Sequence, residues 1–155
     1  MRLLKILLLV VIATMAISGA SAEEVKRTAS VVEASGDVAI KISSAQAWQP
    51  AKAGDVLNEG SYIKTGPLSK AVLNIDGDGK TALVDVSEKS QLSLATLVKD
   101  TTSGLKKTLL DLAIGQVLIK AEKLDTPDSK FEVKTPTSVV GVRGTKFSVR
   151  VEALE

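Results

Sequence analysis

The sequence contains no cysteine and no histidine, and only 3% of its residues are aromatic. The first absence excludes a disulfide framework, a thiolate nucleophile and a cysteine zinc site. The second excludes a Ser-His-Asp triad, imidazole metal ligands and an imidazole base. Carboxylates, lysines and hydroxyls are left for any chemistry. Proline is scarce, with four residues in 155, and no low-complexity tract or charge block interrupts the chain. The length suits one domain, since domains run to roughly 100–200 residues.

What is present begins with a three-part leader. Arg2 and Lys5 precede the apolar run from Ile6 to Ile17, and Ala20-Ser21-Ala22 forms a small-x-small site ahead of Glu23-Glu24. This is the layout of a cleaved secretory signal peptide. The alternative, an uncleaved anchor, needs about 20 apolar residues, more than the run supplies. The expected organisation is therefore a signal peptide at 1–22 and one domain at 23–155, periplasmic or secreted, with no stable membrane span after cleavage. The formal charge of +2 comes from 20 basic and 18 acidic residues. Arg2 and Lys5 leave with the leader, so the remainder is balanced at 18 against 18. Its charges are scattered, whereas a nucleic-acid partner calls for a clustered basic face; none is expected.

The remainder reads as strands. Val38, Ile40 and Ile42 alternate with Asp37, Ala39 and Lys41 after a Ser35-Gly36 turn, the period of a half-buried strand. Further short β-rich runs, Ser61–Thr65, Ala71–Ile75 and Thr81–Val86, lie between glycine-marked turns. Such spacing argues for an all-β domain. Leu92–Lys99 and Leu105–Ile114 compete as helices, but Leu92/Leu94 and Leu110/Leu112/Ile114 alternate, which favours strands separated by a Thr101–Gly104 loop. Phe131–Thr135 and a run from about Thr145 to Val151 complete the set. Gly36-Asp37-Val38-Ala39-Ile40 is faintly echoed by Gly115-Gln116-Val117-Leu118-Ile119. The architecture is a sandwich or a solenoid-like stack of short strands. Lys120, Lys123, Pro127 and Lys130 are candidates for guarding sheet edges, where lysine and proline discourage strand pairing.

Three segments are candidate sites. Gly141 and Gly144 bracket Val142-Arg143, a spacing that suits a tight turn or bulge. Arg143 has five donors and serves either the loop or a ligand anion; Thr145 follows. Asn74, Asp76, Asp78 and Asp85 match oxygen-ligand positions of an EF-hand loop with Gly79 at its sixth position, while Asp-Gly-Asp-Gly between alternating runs reads equally as a β-hairpin turn. Trp48 either packs in the core or a hairpin, or offers its ring to a sugar or protein partner. No carboxylate pair is marked for catalysis. Ser103 and Lys106 have Ser-x-x-Lys spacing without its companion motifs. The chain is expected to be no enzyme and to need no cofactor.

The string Thr135-Pro136…Gly141-Val142-Arg143-Gly144-Thr145-x-Phe147-x-Val149 resembles the signature of the FecR-type domain, named for an iron-citrate signal transducer. Gly36-x-Val38, Trp48, Ala53-Gly54-x-x-Leu57-x-x-Gly60, Ile63-x-Thr65-Gly66, Asp76-Gly77 and Leu112-x-x-Gly115-x-Val117 agree in order, so the resemblance spans about residues 30–151. It implies an all-β extracytoplasmic domain without catalysis. In the transducers that domain is periplasmic and passes a signal from an outer-membrane receptor to a sigma factor. This sequence shows no sigma-binding segment ahead of a mid-chain membrane helix, so only the domain is expected to carry over. The expected role is a binding or scaffolding module of the bacterial cell envelope that takes a protein or glycan. The alternatives are a regulatory partner in envelope signalling and a calcium-binding module.

Overall fold

A computed structural model describes residues 23–77, 81–122, 126, 128–142, 144 and 146–152. The proposed signal peptide, Asp78, Lys123, Pro127, Arg143 and Thr145 lie outside them. The described residues form thirteen strands and no helix: β1 Glu24–Lys26, β2 Thr28–Ser35, β3 Val38–Lys41, β4 Gln49–Pro50, β5 Val56–Asn58, β6 Tyr62–Thr65, β7 Lys70–Ile75, β8 Ala82–Val86, β9 Gln91–Asp100, β10 Lys106–Ala121, β11 Lys130–Lys134, β12 Val139–Val142 and β13 Lys146–Val151. Both stretches that competed as helix, β9 and the first half of β10, are strands, as their alternation requires.

The strands make one curled sheet whose halves face each other. The first half runs β4-β3-β6-β9-β10-β11-β12, with β1 on the far part of β9; the second runs β5-β2-β7-β8-β10-β13. All pairs are antiparallel except β10 with β11. β10 belongs to both halves, pairing with β9 and β11 up to Ile114 and with β8 and β13 from Gly115 onward. Inward residues of both halves form one core. Ala82, Val84 and Val86 of β8 are buried with Leu92 and Leu94 of β9, Leu110 and Leu112 of β10, and Phe131 and Val133 of β11, while Leu83 and Asp85 between them face outward. A strand of period two places successive side chains on opposite faces, which is why strict alternation suffices to sort core from surface.

Among the places where the chain passes between the halves, four form one column of corners: β2 to β3 at Gly36, β6 to β7 across 66–69, β8 to β9 across 87–90, and within β10 at Gly115. These corners stack side by side, so each rung spans both halves, as in a stack, while the halves enclose one core, as in a sandwich. Every corner holds one residue with positive φ: Gly36 (79°), Leu68 (53°), Lys89 (52°) and Gly115 (95°). A buried hydroxyl ties each corner to the next. Ser69 Oγ accepts the Asp37 N–H at 2.8 Å, Thr65 Oγ1 accepts the Ser90 N–H at 3.0 Å, and Ser90 Oγ accepts the Gln116 N–H at 3.0 Å. Sharp corners take backbone groups out of the ladder, and buried groups of that kind must find another partner; the three hydroxyls supply it.

The opposite end is closed by charge. Arg27, between β1 and β2, sends its guanidinium to both carboxylate oxygens of Asp76 at 2.6 and 2.7 Å, to Thr108 Oγ1 at 3.0 Å and towards the carbonyls of Lys107 and Val98. Asp76 follows β7 in the second half-sheet, while Val98, Lys107 and Thr108 belong to the first. The pair therefore bolts the halves together.

Two expectations about edges need correction. Lys120 lies on β10 between β8 and β13, and Lys130 opens β11, an inner strand between β10 and β12. Neither guards an edge. Lys120 Nζ instead lies 3.5 Å from Asp85 on the outer face of the second half-sheet.

Candidate functional site

The signature segment builds a groove. Thr135 ends the core-facing run of β11, and its Oγ1 accepts the Ser138 N–H at 3.0 Å and donates to the Ser138 carbonyl at 3.1 Å. That clasp reverses the chain through Pro136-Thr137 and returns it as β12, antiparallel to β11, with Val140 opposite Val133 and Gly141 opposite Glu132. Gly141 is therefore a strand residue rather than one side of a tight turn, whereas Gly144 has φ of 58°, as a turn requires. β13 then pairs with β10 on the other half-sheet. Where β10 crosses between the halves, β12 and β13 part, and a cleft of about 720 Å³ opens between Thr135–Ser138, Val140, Ile114 and Ser148–Glu152. A hollow of about 550 Å³ continues it past Gly115 and Gln116 to the 87–89 corner.

The groove has an apolar floor and polar walls. Ile114 is an exposed apolar side chain at its margin, and Thr137 is exposed on its wall. Arg150 donates to Gln116 Oε1 at 2.6 and 2.9 Å, and Gln116 Nε2 meets Ser148 Oγ at 3.0 Å. Among the described residues β12 pairs only with β11 and β13 only with β10, so each presents one unpaired edge. Unpaired edges add strands from other chains unless they are blocked.

Trp48 lies elsewhere. It precedes β4, at the edge of the first half-sheet remote from β12, and sits partly exposed on the outer face. Lys41 Nζ lies 5.0 Å and Lys64 Nζ 4.6 Å from its ring centroid, and Lys41 Nζ is 4.5 Å from the Tyr62 ring. The ring thus packs on the β3–β6 surface and not in the core. The structure does not bring Trp48 and the signature together.

The Asn74–Asp85 segment is the β7–β8 hairpin, with Asn74 opposite Leu83 and Ile75 opposite Ala82. Asp76 and Gly77, which open the connection between the two strands, both have φ of 73°. The Asp76 carboxylate is occupied by Arg27, by Thr81 Oγ1 and by Lys106 Nζ at 3.3 Å. Burial pushes its pKa up, but hydrogen bonds from Arg27, Thr81 and Lys106 and the charge of Arg27 outweigh that and hold it below the usual carboxylate range. Asp85 faces outward to Lys70 and Lys120. Asp76 and Asp85 are thus engaged by cations of the chain itself, and the strands on either side pair as a hairpin; Asp78 and Gly79 lie outside the described residues. Lys106, committed to Asp76 and Thr81, is likewise no partner to Ser103, whose Oγ accepts the Leu105 N–H.

The family model described as FecR protein matches residues 61–154, more than half of the chain. The chain belongs to the FecR family. The match covers β6 to β13, including both groove strands. It does not reach Gly36, Trp48, Gly54 or Gly60, which the resemblance also included, although Gly36 occupies the same corner stack as the FecR segment. No curated protein and no solved structure matches the chain. Membership of the FecR family associates the chain with envelope signalling, where the domain is periplasmic. Among the described residues no helix is long and apolar enough to cross a membrane.

Sequence reasoning missed Arg27. A lone arginine between two short strands carries no motif, and its partner Asp76 had a competing reading as a metal ligand.

Proposed function

We propose that the chain is a non-catalytic binding and scaffolding module, exported by the leader at 1–22 into the cell envelope, and that the β12–β13 groove is its docking site. The observation that carries the reading is the placement of the FecR signature. It forms two edge strands facing one cleft, each with an unpaired edge. A partner segment entering the cleft as a strand would gain main-chain hydrogen bonds from an edge and side-chain contact with Ile114, Val140 and Val149. The absence of histidine and cysteine, together with the ion-paired state of Asp76, Lys106 and Asp85, supports binding over catalysis.

The absence of cysteine also supplies the test. Thr137→Cys places a single thiol on the groove wall, and Glu33→Cys places one on the outer face of the second half-sheet. Each is labelled with a photoactivatable crosslinker in intact envelopes. An adduct with a discrete envelope component from Thr137→Cys and not from Glu33→Cys is expected. No adduct, or the same adduct from both, sinks the reading. Membership of the FecR family favours a second reading, a regulatory partner in envelope signalling. A sigma factor and an outer-membrane receptor encoded beside this chain would support it.

A further inference from the structure

Several strand lysines on the outer faces meet carboxylates: Lys70 lies near Glu33 and Asp85, Lys120 near Asp85, Lys107 near Glu24 and Lys134 near Asp111. On the first half-sheet, at the β4-β3-β6 end, Lys41 and Lys64 have no carboxylate within ion-pair distance among the described residues. Both ammonium groups lie over aromatic rings instead, Lys41 and Lys64 over Trp48 and Lys41 also over Tyr62. The chain has one tryptophan and one tyrosine, and both stand here, outside the core.

The strand register extends this cluster into a flat strip. Lys41 is opposite Tyr62 and Tyr62 opposite Ser93; Ala39 is opposite Lys64 and Lys64 opposite Gln91. Each of these side chains, like Trp48, is partly exposed. Three strands at a spacing of about 4.8 Å make the strip about 10 Å wide, enough for a short oligosaccharide. Aromatic rings accept the C–H face of a sugar. Ser93 and Gln91 offer hydroxyl and amide groups for sugar hydroxyls. Two ammonium groups without counter-charges select a ligand that carries its own negative charge beside the ring.

We propose that the Lys41–Trp48–Tyr62–Lys64 face binds an acidic polysaccharide, with uronate carboxylates on the two lysines and a sugar ring on Trp48. This rests on the reading of the chain as an envelope binding module, but the site is distinct from the groove. A single-stranded nucleic acid would also stack and pair with lysine. It is disfavoured because residues 23–155 are charge-balanced and the positive charge here is confined to two side chains, too few for the backbone neutralisation that drives such binding.

Because Trp48 is the sole tryptophan, its fluorescence reports this face alone. The purified protein is titrated with oligogalacturonate, with neutral maltohexaose and with oligothymidylate. A saturable change with oligogalacturonate, weakened by salt, and little change with maltohexaose are expected. Lys41→Gln and Lys64→Gln should each weaken binding about tenfold while lowering the melting midpoint only slightly, since each removes no more than surface cation–π contacts. No response to oligogalacturonate, an equal response to maltohexaose, or tighter binding of oligothymidylate overturns the proposal. Crosslinking at Thr137 reads the groove separately, so failure of either site is visible independently of the other.

Discussion

Ser90 and Gly115 lock the last corner of the fold: a Cβ built on Gly115 would lie 2.5 Å from Ser90 Cα, and Ser90 Oγ accepts the N–H of the residue after that glycine. Gly115 also has φ of 95°, in the region that L side chains avoid. Two independent costs therefore fall on one substitution. Gly115→Ala should lose about 1–2 kcal/mol to the backbone conformation and about 1–3 kcal/mol to overpacking, and urea denaturation would show it. Ser90→Ala should not rescue it, because the clash is with Ser90 Cα and Cβ rather than with the hydroxyl alone. A Gly115→Ala protein as stable as the wild type would refute the corner geometry.

The hydroxyl column gives a second expectation. Thr65 Oγ1 donates to the Ser87 carbonyl at 2.5 Å and accepts the Ser90 N–H, and it is buried. Thr65→Val keeps the shape and removes the hydroxyl, leaving two backbone groups unpaired. That should cost about 1–3 kcal/mol, whereas Thr65→Ser should keep most of the stability. Equal losses from the two variants, measured by chemical denaturation, would show that the methyl group and not the hydroxyl matters.

The corners also explain what was legible in the sequence. The echo between Gly36–Ile40 and Gly115–Ile119 marks the first and last corners: both glycines have positive φ, and Val38, Ile40, Val117 and Ile119 are all buried. The middle corners carry Leu68 and Lys89 at the same kind of position, so the repeat is masked by side chain identity. Strand alternation exposed the core because it is a local property. β12 was hidden because Val139–Val142 is short, includes a glycine and is only partly buried, so it reads as a turn. Ion pairs were not legible for the opposite reason. Asp76 is chosen by Arg27, 49 residues away, and no local pattern encodes that distance. The same holds for Trp48, whose ring is placed by two lysines on different strands.

Leu68 is 92% exposed with φ of 53°, after Pro67 in the second corner. A leucine there bears backbone strain without burying its side chain. Leu68→Gly should therefore gain about 0.5–1 kcal/mol by relieving that strain, partly offset by the extra freedom of glycine in the unfolded chain. A rise in the thermal midpoint is the expected result; a fall would mean that the leucine makes a stabilising contact.

The Arg27–Asp76 pair makes stability depend on pH in a definite direction. Their side chains are only 6% and 13% exposed, and Asp76 titrates below its ordinary value because the cations and hydroxyl around it outweigh its burial. A carboxyl with a depressed folded pKa contributes stability that is complete above the unfolded value, about 3.9, and is lost as pH falls through the folded pKa. Asp76→Asn keeps the shape and leaves the Arg27 charge buried against neutral acceptors, so at pH 7 it should cost about 3–5 kcal/mol. Below about pH 4 the wild type loses the same interaction, and the gap should narrow. Melting midpoints of both proteins between pH 7 and pH 3 test this. A gap that stays constant over that range would mean that Asp76 is not the group whose titration limits the acid stability of the fold.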